Sequence, residues 1–254
     1  MDNAPHLPLH EFDASTEAVI NPWRRRMPPD FPDRAVACWF GDLVRRLGEG
    51  STAIAHIEFE HGHHPIHVIE HAGQRIAVFN PGVGAPAAAS SLETVIALGA
   101  RKVIGCGGAG IVVPGFDVGH VVIPTGAIRD DGASYHYAPA HVEVTPHPDA
   151  VAAIDSVLAE AGIPHDRGIT WTTDAYYRET PAKVARRRAQ GAITVEMEAS
   201  TMFAVSAFRG AVYAQLLYAG DDVSAQEWDH RDWVTNTSAR ERLFLLACEA
   251  VTRL

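Results

Sequence analysis

The chain has 254 residues, 47% of them apolar, and a formal charge of −10, enough to bury a sizeable core and the wrong sign for a nucleic-acid backbone as main partner. Three widely spaced cysteines, Cys38, Cys106 and Cys248, argue against a disulfide framework or zinc ribbon and fit a reducing cytoplasm. The acidic N-terminus lacks the basic start and apolar run of a signal peptide, and no stretch reaches the roughly 20 apolar residues of a membrane helix.

Residues 1–34, rich in proline and charge with Arg24, Arg25 and Arg26 together, read as an extended arm on the surface. Residues 35–254 read as one domain, with no internal repeat or linker. A strand is predicted over 34–40 and a short helix over 41–47. Strands over 66–70 and 74–80 are joined by a turn at Ala72-Gly73. Helical spacing over 85–98 ends at Gly99. Strands follow over 102–106 and 120–124, then a helix over 149–161, a strand over 168–172, and helices over 181–190 and 198–209. A strand over 212–218 and a helix over 236–253 complete the chain. Strands separated by helices predict right-handed crossovers and a mostly parallel or mixed sheet covered on both faces.

Two glycine-rich stretches fall where strands are predicted to end: Pro81-Gly82-Val83-Gly84-Ala85-Pro86, and Gly105-Cys106-Gly107-Gly108-Ala109-Gly110. They read as tight turns that could line a pocket, because ligands of open α/β sheets bind beyond the carboxyl ends of strands. The dinucleotide reading fails on context. Ile111-Val112-Val113-Pro114 follows the second stretch where a helix start would be needed, and there is no Walker GK[ST].

Three further clusters carry chemistry. Glu196-Met197-Glu198 places two carboxylates where a strand enters a helix; on extended backbone both point the same way and make a bidentate acceptor for a sugar diol. The bland reading is a helix cap at Glu198 and a solvated Glu196. Asp221-Asp222 follows an apolar strand, where a partly desolvated carboxyl could serve as a general acid, or be a plain loop acid. Asp174-Ala175-Tyr176-Tyr177-Arg178 suits stacking on a planar base, with hydrogen bonding from Arg178, and equally suits a packed corner. His61, His63 and His64 fit a solvated turn or subunit contact better than a metal site.

In order along the chain these segments resemble the nucleoside phosphorylase/nucleosidase superfamily, which includes uridine phosphorylase and the hexameric bacterial purine nucleoside phosphorylases. Gly82-Val83-Gly84-Ala85-Pro86 resembles its G-[IM]-G-x-P turn, and Val118-Gly119-His120-Val121-Val122-Ile123 its VGDVVI strand. Arg129 to His136 is similar to R-x-D-G-A-S-x-H, Thr173 to Tyr177 contains a segment similar to S-D-x-F-Y, and Glu196 to Ala199 is E-M-E-A. The resemblance implies a single α/β domain with a mixed central sheet in a three-layer α/β/α arrangement. It implies cleavage of a nucleoside to free base and sugar 1-phosphate, with phosphate as co-substrate and no metal or organic cofactor, in a homo-oligomer that is a dimer or a hexamer. Carried over by position, Glu198 binds the 2′ and 3′ hydroxyls beside Glu196, Met197 packs on the sugar and Tyr176 stacks on the base. Asp221 matches the purine-protonating aspartate, whereas Asp131 to Ser134 is uridine-phosphorylase-like, so purine and pyrimidine both stay open. His6 resembles an arm histidine that reaches the 5′-hydroxyl in a neighbouring subunit.

The departure lies at the phosphate. Where the family has an arginine and then a serine or threonine, this chain has Gly105 and Gly108, which removes the strongest sequence argument for anion binding. Gly82, Gly107 and Gly108 remain as backbone at a phosphate or water site. The family's G-D-P-x-R loop survives only in the imperfect forms Gly41-Asp42-Leu43-Val44-Arg45 and Asn21-Pro22-Trp23-Arg24. Either other cations (Arg24, Arg45, Arg46 or a histidine of the 61–64 cluster) bind phosphate, or water replaces it, oriented by a carboxylate such as Asp42, and the enzyme is a nucleosidase. A nucleoside-binding protein without turnover is the non-enzyme alternative.

Overall fold

Alternating side chains along the strands decide the layering of the computed structural model, which describes residues 7–22, 28–60 and 62–254. The strands are β1 (Arg34–Cys38), β2 (Ala55–Phe59), β3 (Gly62–His71), β4 (Gln74–Phe79), β5 (Lys102–Ile111), β6 (Val121–Asp130), β7 (His165–Thr173), β8 (Ala192–Glu196) and β9 (Val212–Asp222). The helices are α1 (Gly41–Leu47), α2 (Ala85–Leu98), α3 (Pro148–Glu160), α4 (Pro181–Ala189), α5 (Ala199–Arg209) and α6 (Thr237–Thr252). On β1 and β4, Val36, Cys38, Ile76 and Val78 face a cluster with Leu43, Ile154, Leu158, Leu243 and Val251, under α1, α3 and α6. Ala35, Ala37, Ala77 and Phe79 face the opposite cluster with Leu92, Val95, Met202 and Phe203, under α2 and α5. Successive side chains on a strand point to opposite faces, so β1 and β4 each serve both cores. The result is a mixed sheet between two helical layers.

The strand order is β2-β3-β4-β1-β5-β8-β7-β6-β9, with β9 also paired to β5. The strands from β5 onward therefore close into a ring, in which β5 and β9 run parallel from Lys102↔Val212 to Ala109↔Ala219. Ring closure corrects the reading of the second glycine stretch. Gly105 to Gly110 is strand, not a tight turn, because β9 on one side, and on the other β1 opposite Gly105 and Cys106 and then Val195 of β8 opposite Gly110, supply its hydrogen-bond partners. The same pairing carries β9 through Asp221 and Asp222, which were expected beyond the strand end. β1 stops at Cys38, two residues earlier than predicted, and Trp39 and Phe40 turn toward α1. β2 was not anticipated; its one fully buried residue, Ile57, gives little period-two signal. The Ala72-Gly73 turn is present, both residues with positive φ (48° and 74°).

Candidate active site

The first glycine stretch turns the chain from β4 into α2. Gly82 and Gly84 have φ of 81° and 92°, a region open to glycine and strained for other residues. Asn80 Oδ1 accepts from the Gly82 amide at 2.9 Å, and Ser91 Oγ donates to the Pro81 carbonyl at 2.8 Å. The Gly84 amide then donates to Glu198 Oε1 at 2.6 Å. Glu198 stands at the N-terminus of α5 and is 8% exposed. Burial, then the neighbouring Glu196 charge, push its carboxyl well above the ordinary carboxylate range, against the pull of the Gly84 amide.

Glu196 does something different from Glu198. Its Oε2 accepts from the Glu198 and Ala199 amides at 2.7 and 2.6 Å, so it caps α5, and its Oε1 accepts from Thr172 Oγ1 at 2.6 Å. It is buried rather than solvated, which corrects the bland reading, and burial raises its pKa too. The two carboxylates do not converge on one partner. Met197 between them is half-buried.

Beside them, the Asp131 to Ser134 segment enters a network with Ser200 and Thr201 that its local spacing did not announce. Asp131, 4% exposed, accepts from the Ser134 amide (2.8 Å), Ser134 Oγ (3.0 Å), Thr201 Oγ1 (2.7 Å) and Ser200 Oγ. Ser200 also gives its amide to Thr172 Oγ1 at 2.9 Å, which joins Asp131 to Glu196. Asp174 accepts from the Gly132 amide at 2.8 Å, tying the segment after β7 to the same loop. Arg129 is spent on structure: it donates to Ser134 Oγ and to the carbonyls of Ala138, Pro139 and Val142.

At the other side, Tyr176 and Tyr177 lie on a 3-10 turn, their rings 4.3 Å apart and largely exposed (53% and 87%). Arg178 is exposed on the same turn. Asp221 Oδ2 accepts from Trp228 Nε1 at 2.6 Å. Glu179 is close enough to Asp221 that burial, then the Asp221 charge, push its pKa up to about 7. Neither Trp228 nor Glu179 carries a sequence signal, since each sits in a loop of ordinary polar composition. Asp222 is engaged elsewhere, with the Arg231 guanidinium and the Ser224 amide.

The glycines of β5 are packed rather than open. A β-carbon at Gly105 would overlap the Tyr213 hydroxyl and stand 2.9 Å from Gln215 Cβ. Tyr213 Oη donates to Gln215 Oε1 at 2.7 Å, both side chains fully buried. At Gly108 a β-carbon would come within 3.1 Å of the Tyr218 ring, and at Gly107 within 3.5 Å of the Trp39 indole. The cations proposed as substitutes lie on or beyond α1. Asp42 pairs with Arg240 at 2.9 Å and Arg46 at 3.2 Å, Arg46 also reaches Glu241, and Arg45 is exposed. His63 and His64 lie on β3, and His6, Arg24 and His61 lie outside the described residues. Among the described residues no three His, Cys, Asp or Glu side chains gather to hold a metal, and no helix is long and apolar enough to cross a membrane.

Comparison with known proteins identifies the family and the fold. Residues 33–252 match the family model described as the phosphorylase superfamily. The chain is 25% identical over 210 residues to a guanosine phosphorylase of Halorubrum lacusprofundi, covering 83% of this chain and 80% of that one. It is 30% identical over 152 residues to a uridine phosphorylase of Haemophilus influenzae, covering 54% of this chain and 60% of the relative's length. Among solved structures, purine nucleoside phosphorylase from Toxoplasma gondii superposes with a TM-score of 0.76 at 19% identity, covering 91% and 95% of the two chains. Uridine phosphorylase from Vibrio fischeri superposes at 0.73 and 21%, covering 89% and 93%.

Proposed function

This chain belongs to the phosphorylase superfamily, and from that premise we propose that it cleaves the N-glycosidic bond of a purine or pyrimidine nucleoside, by phosphorolysis, to free base and sugar 1-phosphate. The observation that carries the proposal is the buried Glu198 carboxyl held by the Gly84 amide at the junction of the first glycine turn and α5. A carboxylate with one oxygen pinned by backbone still has lone pairs for the two hydroxyls of a ribose, and Met197 beside it supplies an apolar wall. Bond breaking leaves positive charge on the sugar, which buried carboxylates stabilise, and negative charge on the base. Asp221, steadied by the Trp228 indole, is the acid for the departing base, with Tyr176 against its face and Arg178 at its edge. Phosphate is the co-substrate, and no organic cofactor or metal takes part.

Assembly as a homo-oligomer, dimer or hexamer, belongs to the same reading. Val19 and Ile20 on the arm are 94% and 88% exposed, apolar surface that a second subunit would cover. Three buried free cysteines suit work in the cytoplasm.

One observation favours hydrolysis as a second reading. The neutral Tyr213–Gln215 pair fills the space at Gly105, and Arg129, Lys183 and Arg187 nearby in sequence to the site are bound to carbonyls or to Asp130. The test is free base released from adenosine, inosine, guanosine, uridine and thymidine, with and without phosphate. Phosphate-dependent release with sugar 1-phosphate supports phosphorolysis, phosphate-independent release with free sugar supports hydrolysis, and no release from any of the five would sink both.

A further inference from the structure

Trp39 is the first residue beyond β1, and β1 lies between β4 and β5 in the sheet. Its backbone amide donates to the Cys106 carbonyl at 3.1 Å, which fixes it beside the middle of β5. Its indole lies beside Gly107, where an added β-carbon would make ordinary van der Waals contact with the ring, and its Nε1 donates to the Gly82 carbonyl at 2.8 Å. The ring therefore spans from β5 to the first glycine turn. That turn needs such a hold: Gly82 and Gly84 are both at positive φ, and Val83 between them is 74% exposed. Glycine costs the most backbone entropy to fix, so each tie on the turn sets how sharply the next group is placed. From Trp39 the ties run to Gly82, along two residues to Gly84, and from the Gly84 amide to Glu198.

We infer that Trp39 is a positioning residue for the sugar site: its indole N–H holds the Gly82–Gly84 turn so that the Gly84 amide aims the Glu198 carboxyl at a sugar diol. This rests on the nucleoside reading for what Glu198 receives, but the coupling from Trp39 to Gly84 exists without any ligand. Two measurements separate the parts. In the ligand-free protein, amide hydrogen exchange at Gly84 reports the turn directly. Trp39→Phe, which keeps a ring and removes the donor, is expected to speed that exchange at least tenfold, with Val78 in β4 unchanged. Incorporating benzothienylalanine at position 39, which keeps the shape of the indole and lacks the N–H, gives the same result should the phenylalanine variant fold poorly. Unchanged Gly84 exchange in either folded variant overturns the inference.

The second measurement is a double-mutant cycle on KM for the best nucleoside of the panel. Trp39→Phe is expected to raise KM roughly five- to tenfold in the wild type and to have little effect beside Glu198→Ala, which removes the group that the Gly84 amide holds, because residues acting through one contact do not add. Additive effects mean that the ring only fills space, and overturn it. Should the wild type cleave none of the five nucleosides, the proposed function falls, and the Gly84 exchange still decides the role of Trp39.

Discussion

Gly84 and Glu198, separated by 114 positions in the chain, meet through a 2.6 Å hydrogen bond from backbone amide to carboxyl. That bond joins the N-termini of α2 and α5 at one point, and the sugar of the proposed function is received by the carboxyl's remaining lone pairs. Glu198→Gln keeps the shape and the bond but cannot ionise, and so loses the charge that Glu198 offers to sugar hydroxyls and to a cationic sugar above its raised pKa. Charged hydrogen bonds contribute about 1.5–3 kcal/mol each, so kcat/KM is expected to fall by roughly 10²-fold or more. Steady-state kinetics on a ribonucleoside checks this, and a fall of less than threefold would remove Glu198 from the site.

The same carboxyl sets a stability trend with pH. Burial and the Glu196 charge hold its folded pKa above the value of the unfolded chain. The folded state binds the proton more tightly, so stability is full below the unfolded pKa and is lost as pH rises through the folded one. Glu198→Gln escapes that loss. Its melting temperature is expected to exceed that of the wild type by a margin that grows as pH climbs above the ordinary carboxylate range. A constant margin across pH 4 to 9 would contradict the raised pKa.

Asp221→Asn tests the acid. General acid catalysis contributes typically about 10²–10⁴-fold, and the amide keeps the Trp228 hydrogen bond to its oxygen. Turnover of a purine nucleoside is expected to drop in that range while ligand affinity, read by equilibrium titration, changes little. A protein that only binds nucleosides has no turnover to lose, and equal activity in both forms would assign the proton to another group.

Gly105→Ala tests the packing that replaces the family's arginine. Its methyl collides with Tyr213 and Gln215, and overpacking a tight core costs about 1–3 kcal/mol. In urea melts the variant is expected to lose that much, and to recover part of it when combined with Tyr213→Phe, which removes the overlapping hydroxyl. Recovery stays partial because Gln215 Cβ, at 2.9 Å, remains.

Asp131→Ala withdraws the acceptor of one amide and three hydroxyls in a buried setting. Leaving such groups unpaired costs about 1–3 kcal/mol for each that finds no substitute, so a loss of about 3 kcal/mol or more is expected. Asp131→Asn, which keeps one oxygen, is expected to lose less, and denaturant midpoints for the pair read the difference.

Elements whose ends carry their own punctuation could be read from the chain. Residues 85–98 match α2 as predicted because Pro86 opens it and Gly99 ends it, and 41–47 match α1. The glycine run in β5 was misread because its partners, β1 before it and β8 and β9 after it, are all remote in the chain, and nothing local distinguishes a paired glycine strand from a turn. The site divides in the same way. Glu198, Met197, Tyr176 and Asp221 are marked by short motifs, whereas Gly84 as a donor to Glu198, the Asp131 hub and Trp228 against Asp221 exist only through contacts that folding makes. Even a correct motif left the division of labour open: Glu196 and Glu198 stand two apart, yet one caps a helix and the other faces the glycine turn.

Ring closure by β9 also governs how the chain is made. β9 is the last strand, and it hydrogen-bonds both β5 and β6. A nascent chain that has emerged only as far as α5 presents both of those strands with bare edges, and unpaired edges invite association between chains. Asp221, the acid of the proposed function, arrives with the same strand that closes the ring. Until residue 222 has left the ribosome, those two edges stay unpaired and the ring stays open.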